Sequence, residues 1–340
     1  MALPPMISAL SLGGMPEFML QVLGSNALRQ ALYEAGLPPR FTDEREGYIP
    51  EQSLAKFIDR LDRDLGESNV GLLWANSLSV RDYGVWGDYV LSAPSLGAAL
   101  RGAQRVMPFH SSVDRTTWRA DVENLYYGYR FGLRHHAAYP AIAFSALGSM
   151  LSIFRHYLGD SFRPTCINCD FNPSARTDHA EEVFHCPVHW NTQNLEVGFS
   201  RQAYWQRQSD HGRVATMEDI SRERNGYLPR SFSDVVVQVL RMKLDTDGIS
   251  LDRIAESLDL GPRTVQRRLA RENSSFRELV NRASIERAKE LLNHGGFSVT
   301  TVAAELGYTS QSNFSRAFRN QVGLSPSEFA LSRGTAVTAP

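Results

Sequence analysis

Residues 250–271 read SLDRIAESLDLGPRTVQRRLAR, and residues 298–319 read SVTTVAAELGYTSQSNFSRAFR. The two stretches form an internal repeat in which IAESL (254–258) aligns with VAAEL (302–306) and VQRRL (265–269) aligns with FSRAF (314–318). Each copy has the apolar spacing of two short helices joined by a tight turn, and the turn is one residue longer in the second copy. The repeat predicts two helix-turn-helix units in the C-terminal part of the chain.

The termini of these helices carry the expected capping residues. Ser250 is suited to cap the first helix of the first copy, and DLG (259–261) interrupts that helix. In the second copy Ser298 or Thr300 can act as the cap, and GYT (307–309) supplies the turn. A second helix that follows such a turn is the element that enters the major groove of DNA in helix-turn-helix proteins.

A longer helix is predicted between the copies. Ser275 and Glu278 have the spacing of a capping box, and Gly295-Gly296 would end the helix. A helix over residues 275–293 would be roughly 28 Å long at about 1.5 Å per residue. This approaches the ~34 Å pitch of B-DNA, so the spacer suits two units that enter successive major grooves.

Helical geometry predicts which side chains face the DNA. Val265 and Leu269 must point into the core of the first unit, as must Phe314 and Phe318 in the second. The outward faces carry no acidic residue, and their side chains are of the types that contact bases and phosphates. The predicted DNA-binding residues are Arg263, Thr264, Gln266, Arg267, Arg268 and Arg271 in the first unit, and Ser312, Asn313, Ser315, Arg316 and Arg319 in the second.

The overall charge excludes a protein that binds nucleic acid merely as a polycation. The chain has 340 residues and a net charge of −1, and residues 231–340 contain 14 Lys and Arg against 12 Asp and Glu. DNA affinity must therefore come from local placement of charge. The cluster of Arg263, Arg267, Arg268 and Arg271, without an acidic residue among them, provides it.

Residues 250–330 resemble the DNA-binding domain of AraC/XylS-type transcriptional regulators. The resemblance is carried by AAELGY (303–308), NFSRAFR (313–319) and GLSPSEF (323–329), where Ser325, Pro326 and Glu328 also have the pattern of a capped helix start. It implies base contacts from the positions that match the family pattern, which are Arg263, Gln266 and Arg267 in the first unit and Ser312, Asn313, Ser315 and Arg316 in the second.

The N-terminal part resembles the arabinose-binding-type sensor domain found in one branch of that family. The matching stretches are YG (83–84) through LSAPSLGAAL (91–100), and FHCPV (184–188) leading into residues 195–199. The resemblance of this part implies effector sensing, dimerisation, or both, so a domain that dimerises without sensing a ligand stays open. For the whole chain we expect a transcriptional activator that binds promoter or operator DNA and responds to an unknown small-molecule effector. We also expect a homodimer through the N-terminal domain and RNA polymerase as a partner. The domain's name does not identify the effector.

The predicted fold is an α+β N-terminal sensor domain followed by an all-α domain with two helix-turn-helix units joined by a long helix. We expect the uncharged run at residues 137–154 to be a buried helix rather than a membrane span. Other predicted N-terminal elements are helices at 16–35, 51–65 and 94–106, a hairpin at 117–131 and a strand at 195–199. The predicted domain boundaries are a sensor domain at 1–225, a linker at 226–233, a DNA-binding domain at 234–331 and a disordered tail at 332–340.

The cysteines and histidines leave an alternative open. Three cysteines fit reduced thiols in the cytoplasm, and we expect no signal peptide, membrane partner or cofactor. No phosphate-binding loop or nucleophile elbow is present, so we expect no enzyme activity. The alternative is a metal- or thiol-based sensor or repair protein that uses the helix-turn-helix module to reach DNA, with candidate groups at Cys166, Cys169, His179, His185, Cys186 and His189.

Overall fold

The computed structural model describes residues 2–43, 45–66, 68–207, 214–223, 228–244, 249–293 and 297–334. The chain divides into two compact units, one formed by Pro5–Leu228 and the other by Pro229–Pro340 together with Met1–Pro4. The first unit combines helices with β-sheets, and the second is helical in its described residues. The predicted α+β and all-α classes are therefore confirmed.

The described strands of the first unit are interspersed with helices along the chain. Its strands are β1 (Met6–Ser8), β2 (Tyr48–Pro50), β3 (Arg115–Ala120), β4 (Asn124–Arg130), β5 (Cys166–Asn168), β6 (Val188–His189) and β7 (Leu195–Ser200). Its α-helices are α1 (Met15–Glu34), α2 (Glu51–Asp64), α3 (Val70–Ala75), α4 (Val85–Leu91), α5 (Leu96–Val106), α6 (Tyr139–Leu158), α7 (Ala180–Phe184) and α8 (Met217–Glu223). The predicted helices at 16–35, 51–65 and 94–106 correspond to α1, α2 and α5, and α1 is kinked at Gly24.

The main sheet has the strand order β3-β4-β7-β5-β6. The predicted hairpin is confirmed as β3 and β4, which pair antiparallel with Trp118 opposite Tyr127. Strand β7 pairs antiparallel with both β4 and β5, whereas β5 and β6 are parallel. Strands β1 and β2 form a separate antiparallel pair.

Helix α6 is the buried centre of the first unit, as the apolar run at 137–154 predicts. Its backbone lies against that of α3 through reciprocal glycines, because a Cβ at Gly71 would overlap the Ala141 carbonyl and a Cβ at Gly148 would overlap the Ala75 carbonyl. In the part of the chain that the structure describes, no helix is long and apolar enough to cross a membrane.

The second unit contains seven α-helices among its described residues. They are α9 (Phe232–Lys243), α10 (Leu251–Ser257), α11 (Pro262–Arg271), α12 (Phe276–Asn293), α13 (Val299–Glu305), α14 (Gln311–Val322) and α15 (Pro326–Gly334). The predicted spacer helix is α12, whose capping box is present because Ser275 N donates to Glu278 Oε2 at 2.8 Å and Glu278 N donates to Ser275 Oγ at 3.3 Å. The predicted end of this helix, Gly295-Gly296, lies outside the described residues.

Two helix boundaries differ from those predicted from the sequence. Helix α9 begins at Phe232, inside the predicted linker 226–233, because Ser231 and Asp234 form a capping box. Helix α15 extends to Gly334, into the predicted tail 332–340, because a capping box at Ser325 and Glu328 starts it and no breaker follows before Gly334. Residues 226, 227 and 335–340 lie outside the described part, so the domain boundaries stay a prediction.

Helix α9 packs against three other helices of the C-terminal unit. It contacts α10, α11 and α12. Val235, Val236, Val239 and Leu240 are fully buried. At its N-terminus the Glu272 carboxylate accepts hydrogen bonds from Phe232 N and Ser233 N, both at 2.8 Å. A carboxylate at this position neutralises the positive end of the helix dipole and satisfies two free N–H groups.

Substitution of Gly148 tests the close contact between α3 and α6. Gly148→Ala is expected to lower the free energy of unfolding by about 1–3 kcal/mol, because the added methyl forces two backbones apart. In the control Gly102→Ala, the nearest atom to the new Cβ is Tyr89 Cε1 at 3.5 Å, so stability should be unchanged or rise. Urea unfolding followed by tryptophan fluorescence measures this unit selectively, because all five tryptophans lie in Pro5–Leu228. Equal stability of the two variants would contradict the proposed packing.

Removal of the Glu272 charge tests the cap on α9. Partial burial opposes ionisation of Glu272, but the hydrogen bonds from Ser233 and Phe232 outweigh it and hold the pKa of this carboxyl below its ordinary value. The stabilisation is therefore present above about pH 4.5 and is lost as the pH falls through the lowered pKa. In Glu272→Gln, amide exchange over α9 should be about fivefold faster at pH 6, corresponding to about 1 kcal/mol.

At pH 3 the difference between the Glu272→Gln variant and the unmodified chain should be smaller than at pH 6, because protonation removes the charge of Glu272 as the pH falls. Glu256→Gln, which removes an exposed carboxylate from α10, is the control and should change exchange over α9 at neither pH. A difference as large at pH 3 as at pH 6 would show that the carboxylate charge is not what stabilises α9.

Candidate nucleic-acid interface

The first helix-turn-helix unit consists of α10 and α11. Ser250 Oγ accepts from Arg253 N at 3.3 Å, which is the predicted N-cap of α10. Asp259 closes the intervening turn in a left-handed conformation with φ of 53°. Ile254, Val265 and Leu269 are buried, so the core-facing positions of α10 and α11 are the ones predicted from the repeat.

The opposite face of α11 is available to a partner. The side chains of Arg263, Gln266 and Arg267 are exposed and make no hydrogen bond or ion pair with another described residue. Arg271 is exposed in the last turn of the helix, and Thr264 is half-buried. Three of the four predicted arginines of the first unit are therefore presented to solvent on one helix.

Arg268 is placed differently from the other predicted contacts. Its guanidinium carbon lies 5.1 Å from the centre of the Phe232 ring, and its side chain is half-buried. This cation–π contact directs the side chain towards the N-terminus of α9. Together with Glu272, Arg268 ties the C-terminal end of α11 to α9.

The second unit consists of α13 and α14 and is held by an aromatic cluster. Ser298 is the cap of α13, since its Oγ accepts from Thr301 N at 3.1 Å, and Gly307 takes a left-handed conformation in the turn. Phe314 and Phe318 are fully buried with ring centres 5.7 Å apart, and Phe329 of α15 lies 5.5 Å from Phe318. Ile285, Ala288 and Leu292 of α12 belong to the same core.

The exposed face of α14 carries a short hydrogen-bonded series. Arg316 Nη2 donates to Asn313 Oδ1 at 2.7 Å, and Asn313 Nδ2 donates to Thr309 Oγ1 at 3.3 Å. Ser312, Asn313 and Arg316 are exposed, as predicted from the helical spacing, whereas Ser315 is half-buried. The series restricts the rotamers of Asn313 and Arg316 before any partner binds, which lowers the entropy cost of contacting one.

Arg319 is exposed on the next turn of α14 and lies close to a carboxylate. The pKa of Glu328 is below its ordinary value, first through the hydrogen bonds from Ser325 and to a smaller extent through the positive charge of Arg319. Arg319 therefore has an acidic neighbour on α15. The helical spacing of α14 could not predict this neighbour, because Glu328 lies on another helix.

Three positioning residues were not predicted from the sequence. Phe232 and Glu272 are about 40 residues apart and have no local pattern that pairs them, yet they fix α9 against α11. Thr309, which the sequence placed only in a turn, orients Asn313.

The candidate cluster of cysteines and histidines combines buried thiols with His185 and His189, which are exposed, and His179, which is half-buried. Cys166, Cys169 and Cys186 are buried free thiols. Burial raises the pKa of all three, that of Cys186 to about 12, so the reactive thiolate is suppressed. Among the residues that the structure describes, no group of three or more His, Cys, Asp or Glu side chains is arranged to hold a metal ion.

Comparisons with known proteins match both units of the chain. Residues 27–208 match the arabinose-binding domain of AraC transcription regulators, and residues 254–332 match a helix-turn-helix domain. The transcriptional regulator VirS of Mycobacterium tuberculosis is 27% identical over 97% of both chains. The ornithine utilization regulator of Pseudomonas aeruginosa is 24% identical over 88% of this chain and 90% of its own.

The crystal structure of the transcriptional regulator CdpR from P. aeruginosa aligns with 90% of this chain and 97% of its own, with a TM-score of 0.41 and 21% identity. The match to the arabinose-binding domain spans more than half of the chain, and the helix-turn-helix match lies C-terminal to it. The chain belongs to the AraC family of helix-turn-helix transcription regulators, with a ligand-binding-type domain in its N-terminal half.

Proposed function

We propose that this regulator reads two adjacent major-groove segments of its operator with α11 and α14 and activates transcription in response to a small molecule bound by its N-terminal unit. The observation that carries the proposal is the pair of exposed helix faces, each with arginine and amide or hydroxyl side chains and without an acidic residue. The opposite side of each helix is buried, through Val265 and Leu269 on α11 and Phe314 and Phe318 on α14.

The side chains on the two helices suit direct base readout. Arg263, Arg267 and Arg316 have the planar donor geometry that pairs with the two acceptors of guanine in the major groove. Gln266 and Asn313 have the amide that pairs with adenine. Ser312 and Ser315, with Thr264, Arg271 and Arg319 at the borders, are suited to bases or backbone phosphates. Because Arg268 contacts Phe232, we assign it a positioning role instead.

The N-terminal unit would control DNA binding by α11 and α14. A ligand changes DNA binding only if it has different affinities for the states of the regulator that bind DNA well and poorly. We propose that the Pro5–Leu228 unit binds the effector and a second copy of the chain, and that the bound dimer recruits RNA polymerase. The match of residues 27–208 to the ligand-binding domain of the family supports the first part.

Selection and sequencing of DNA bound by the full-length protein at physiological salt tests the proposed reading. The expected result is two short blocks of conserved sequence about one helical turn apart, lost in an Arg267→Ala/Arg316→Ala double variant. A single block, or two blocks without a fixed spacing, would contradict reading by two coupled units.

Arg267→Ala tests base contact by α11. Loss of a bidentate arginine–guanine pair should weaken binding to the selected site by about 1–3 kcal/mol and leave binding to random DNA nearly unchanged. The control is Arg282→Ala on α12, which removes an arginine that pairs with Asp234 of α9 at 3.3 Å. This substitution should change neither the affinity for the selected site nor the affinity for random DNA. Fluorescence anisotropy with both DNAs measures the two affinities. An equal loss on both DNAs would show that Arg267 contacts only phosphate.

Arg268→Ala tests the division of roles on α11. Loss of its contact with Phe232 should speed amide exchange over α9, since a partly buried cation–π pair contributes about 0.5–2 kcal/mol. The ratio of specific to random DNA affinity should change less than about twofold, because no base contact is lost. A tenfold fall in that ratio would instead place Arg268 at a base.

A further inference from the structure

The N-terminal unit encloses a cavity between its helices and its main sheet. The cavity has a volume of about 70 Å³ and is lined by residues of α1, α2, α4, α5 and α6 together with β3 and β4. No Asp, Glu, Lys or Arg is among the described residues that line it. Burial raises the pKa of Tyr83 in its wall to about 12, so this hydroxyl stays neutral. A charged ligand would therefore enter without an opposite charge to compensate its lost hydration.

One wall of the cavity is aromatic. The His110 ring lies 5.2 Å from the Tyr83 ring and 5.3 Å from the Trp86 ring, measured between centres. Tyr129 and Phe131, which line the cavity on the side of the sheet, have ring centres 6.2 Å apart. Such walls favour a planar apolar ligand, since ring contacts add to the gain from apolar burial.

Most polar groups around the cavity already have partners within the protein. The Tyr83 and Ser149 hydroxyls are 2.8 Å apart, and Ser145 Oγ accepts from Trp74 Nε1 at 2.6 Å while donating to the Ala141 carbonyl at 2.7 Å. Tyr129 donates to Asp114 at 2.5 Å. These groups are satisfied without a ligand.

Two hydroxyls in the wall, those of Ser11 and Thr116, make no hydrogen bond with a described residue. Ser11 is the more deeply buried of the two, at 4% exposed against 8%. A buried hydroxyl without a partner destabilises a protein, so its retention in an apolar wall needs a reason. A ligand group that pairs with Ser11 would supply that partner.

The cavity is also able to enlarge. About 150 Å³ is needed to hold a benzene ring, roughly twice the present volume. Met15, Met107 and Met150 all line the cavity, and their unbranched side chains can change rotamer at low cost. A ring-sized molecule can therefore be accommodated by rearrangement of flexible side chains without movement of the sheet.

We propose that this cavity is the effector site and that its ligand is a neutral, mainly apolar compound of single-ring size with one hydrogen-bonding group that pairs with Ser11. This inference rests on the proposed function, because it names the ligand class through which the N-terminal unit acts. The cavity disfavours carboxylates and ammonium compounds, because no Asp, Glu, Lys or Arg is among the described residues of its walls, and it selects among neutral compounds through Ser11.

Binding of three probes to the full-length chain tests the inference: benzyl alcohol, toluene and benzoate, each followed by ligand-observed NMR and by thermal unfolding. Benzyl alcohol should bind roughly 3- to 10-fold tighter than toluene, the contribution expected of one hydrogen bond. Benzoate should not bind. Absence of benzyl alcohol and toluene binding at millimolar concentration, or tighter binding of benzoate, would overturn the proposal.

Two serine variants separate recognition from folding. Ser11→Ala should remove the preference for benzyl alcohol over toluene, keep toluene binding, and leave the unliganded protein at least as stable as before. The matched control is Ser145→Ala, which removes a satisfied hydroxyl from the same cavity and should lower stability while keeping the preference. An unchanged preference in Ser11→Ala would overturn the role of Ser11.

Ala103→Leu locates the bound probe. Ala103 lines the cavity and is 2% exposed, so the larger side chain should fill the space and block both neutral probes. Undiminished binding would place the probes elsewhere and overturn the site. None of these measurements involves DNA, so failure of the cavity site and failure of operator reading give separate results.

Discussion

The arrangement of the DNA-reading helices depends on the packing of α9 against α12. Val235, Val236, Val239 and Leu240 of α9 are fully buried, and α9 also contacts both helices of the first unit. Ion pairs from α9 to α12, Arg241 with Glu290 and Asp234 with Arg282, lie at the edge of this contact. The second unit packs on the C-terminal half of α12 through its aromatic cluster. The contact of α9 with α12 therefore adds a packed connection to the covalent one that α12 makes between the two units.

Because α11 packs against α9, the arginines on α11 have different roles. Arg263 and Arg267 are exposed and unengaged by described residues, whereas Arg268 is held over Phe232. The same helix therefore combines residues that can contact DNA with residues that fix its position. On α14, Asn313 and Arg316 are both available to DNA and restrained by the protein, because they are exposed and hydrogen-bonded to each other. Neighbouring arginines of equal charge thus have different expected effects on specificity.

Features set by local interactions could be predicted from the sequence. The caps at Ser250, Ser275, Ser298 and Ser325 each involve residues three apart, and the buried faces of α11 and α14 follow from helical periodicity. The β3–β4 hairpin is local for the same reason. In each case the interacting residues are close in sequence, so no knowledge of the tertiary structure is needed.

Features set by distant residues could not be predicted in this way. The Glu272 cap on α9 joins residues 40 positions apart, and the orientation of Arg268 depends on Phe232 across a similar separation. The parallel pairing of β5 with β6 depends on a connection through α7. Ser11 lies in a short 3-10 turn without any motif, and only the walls of the cavity around it give it a role.

The most direct test of the account is the dependence of affinity on the spacing between the two operator blocks. Helix α12 has 18 residues and a length of about 27 Å, and it cannot stretch. Insertion of 5 base pairs between the blocks should reduce affinity to that of one block alone, and insertion of 10 base pairs should not restore it. Full affinity after the 10-base-pair insertion would show that the two units move independently and would contradict a rigid connection through α9 and α12.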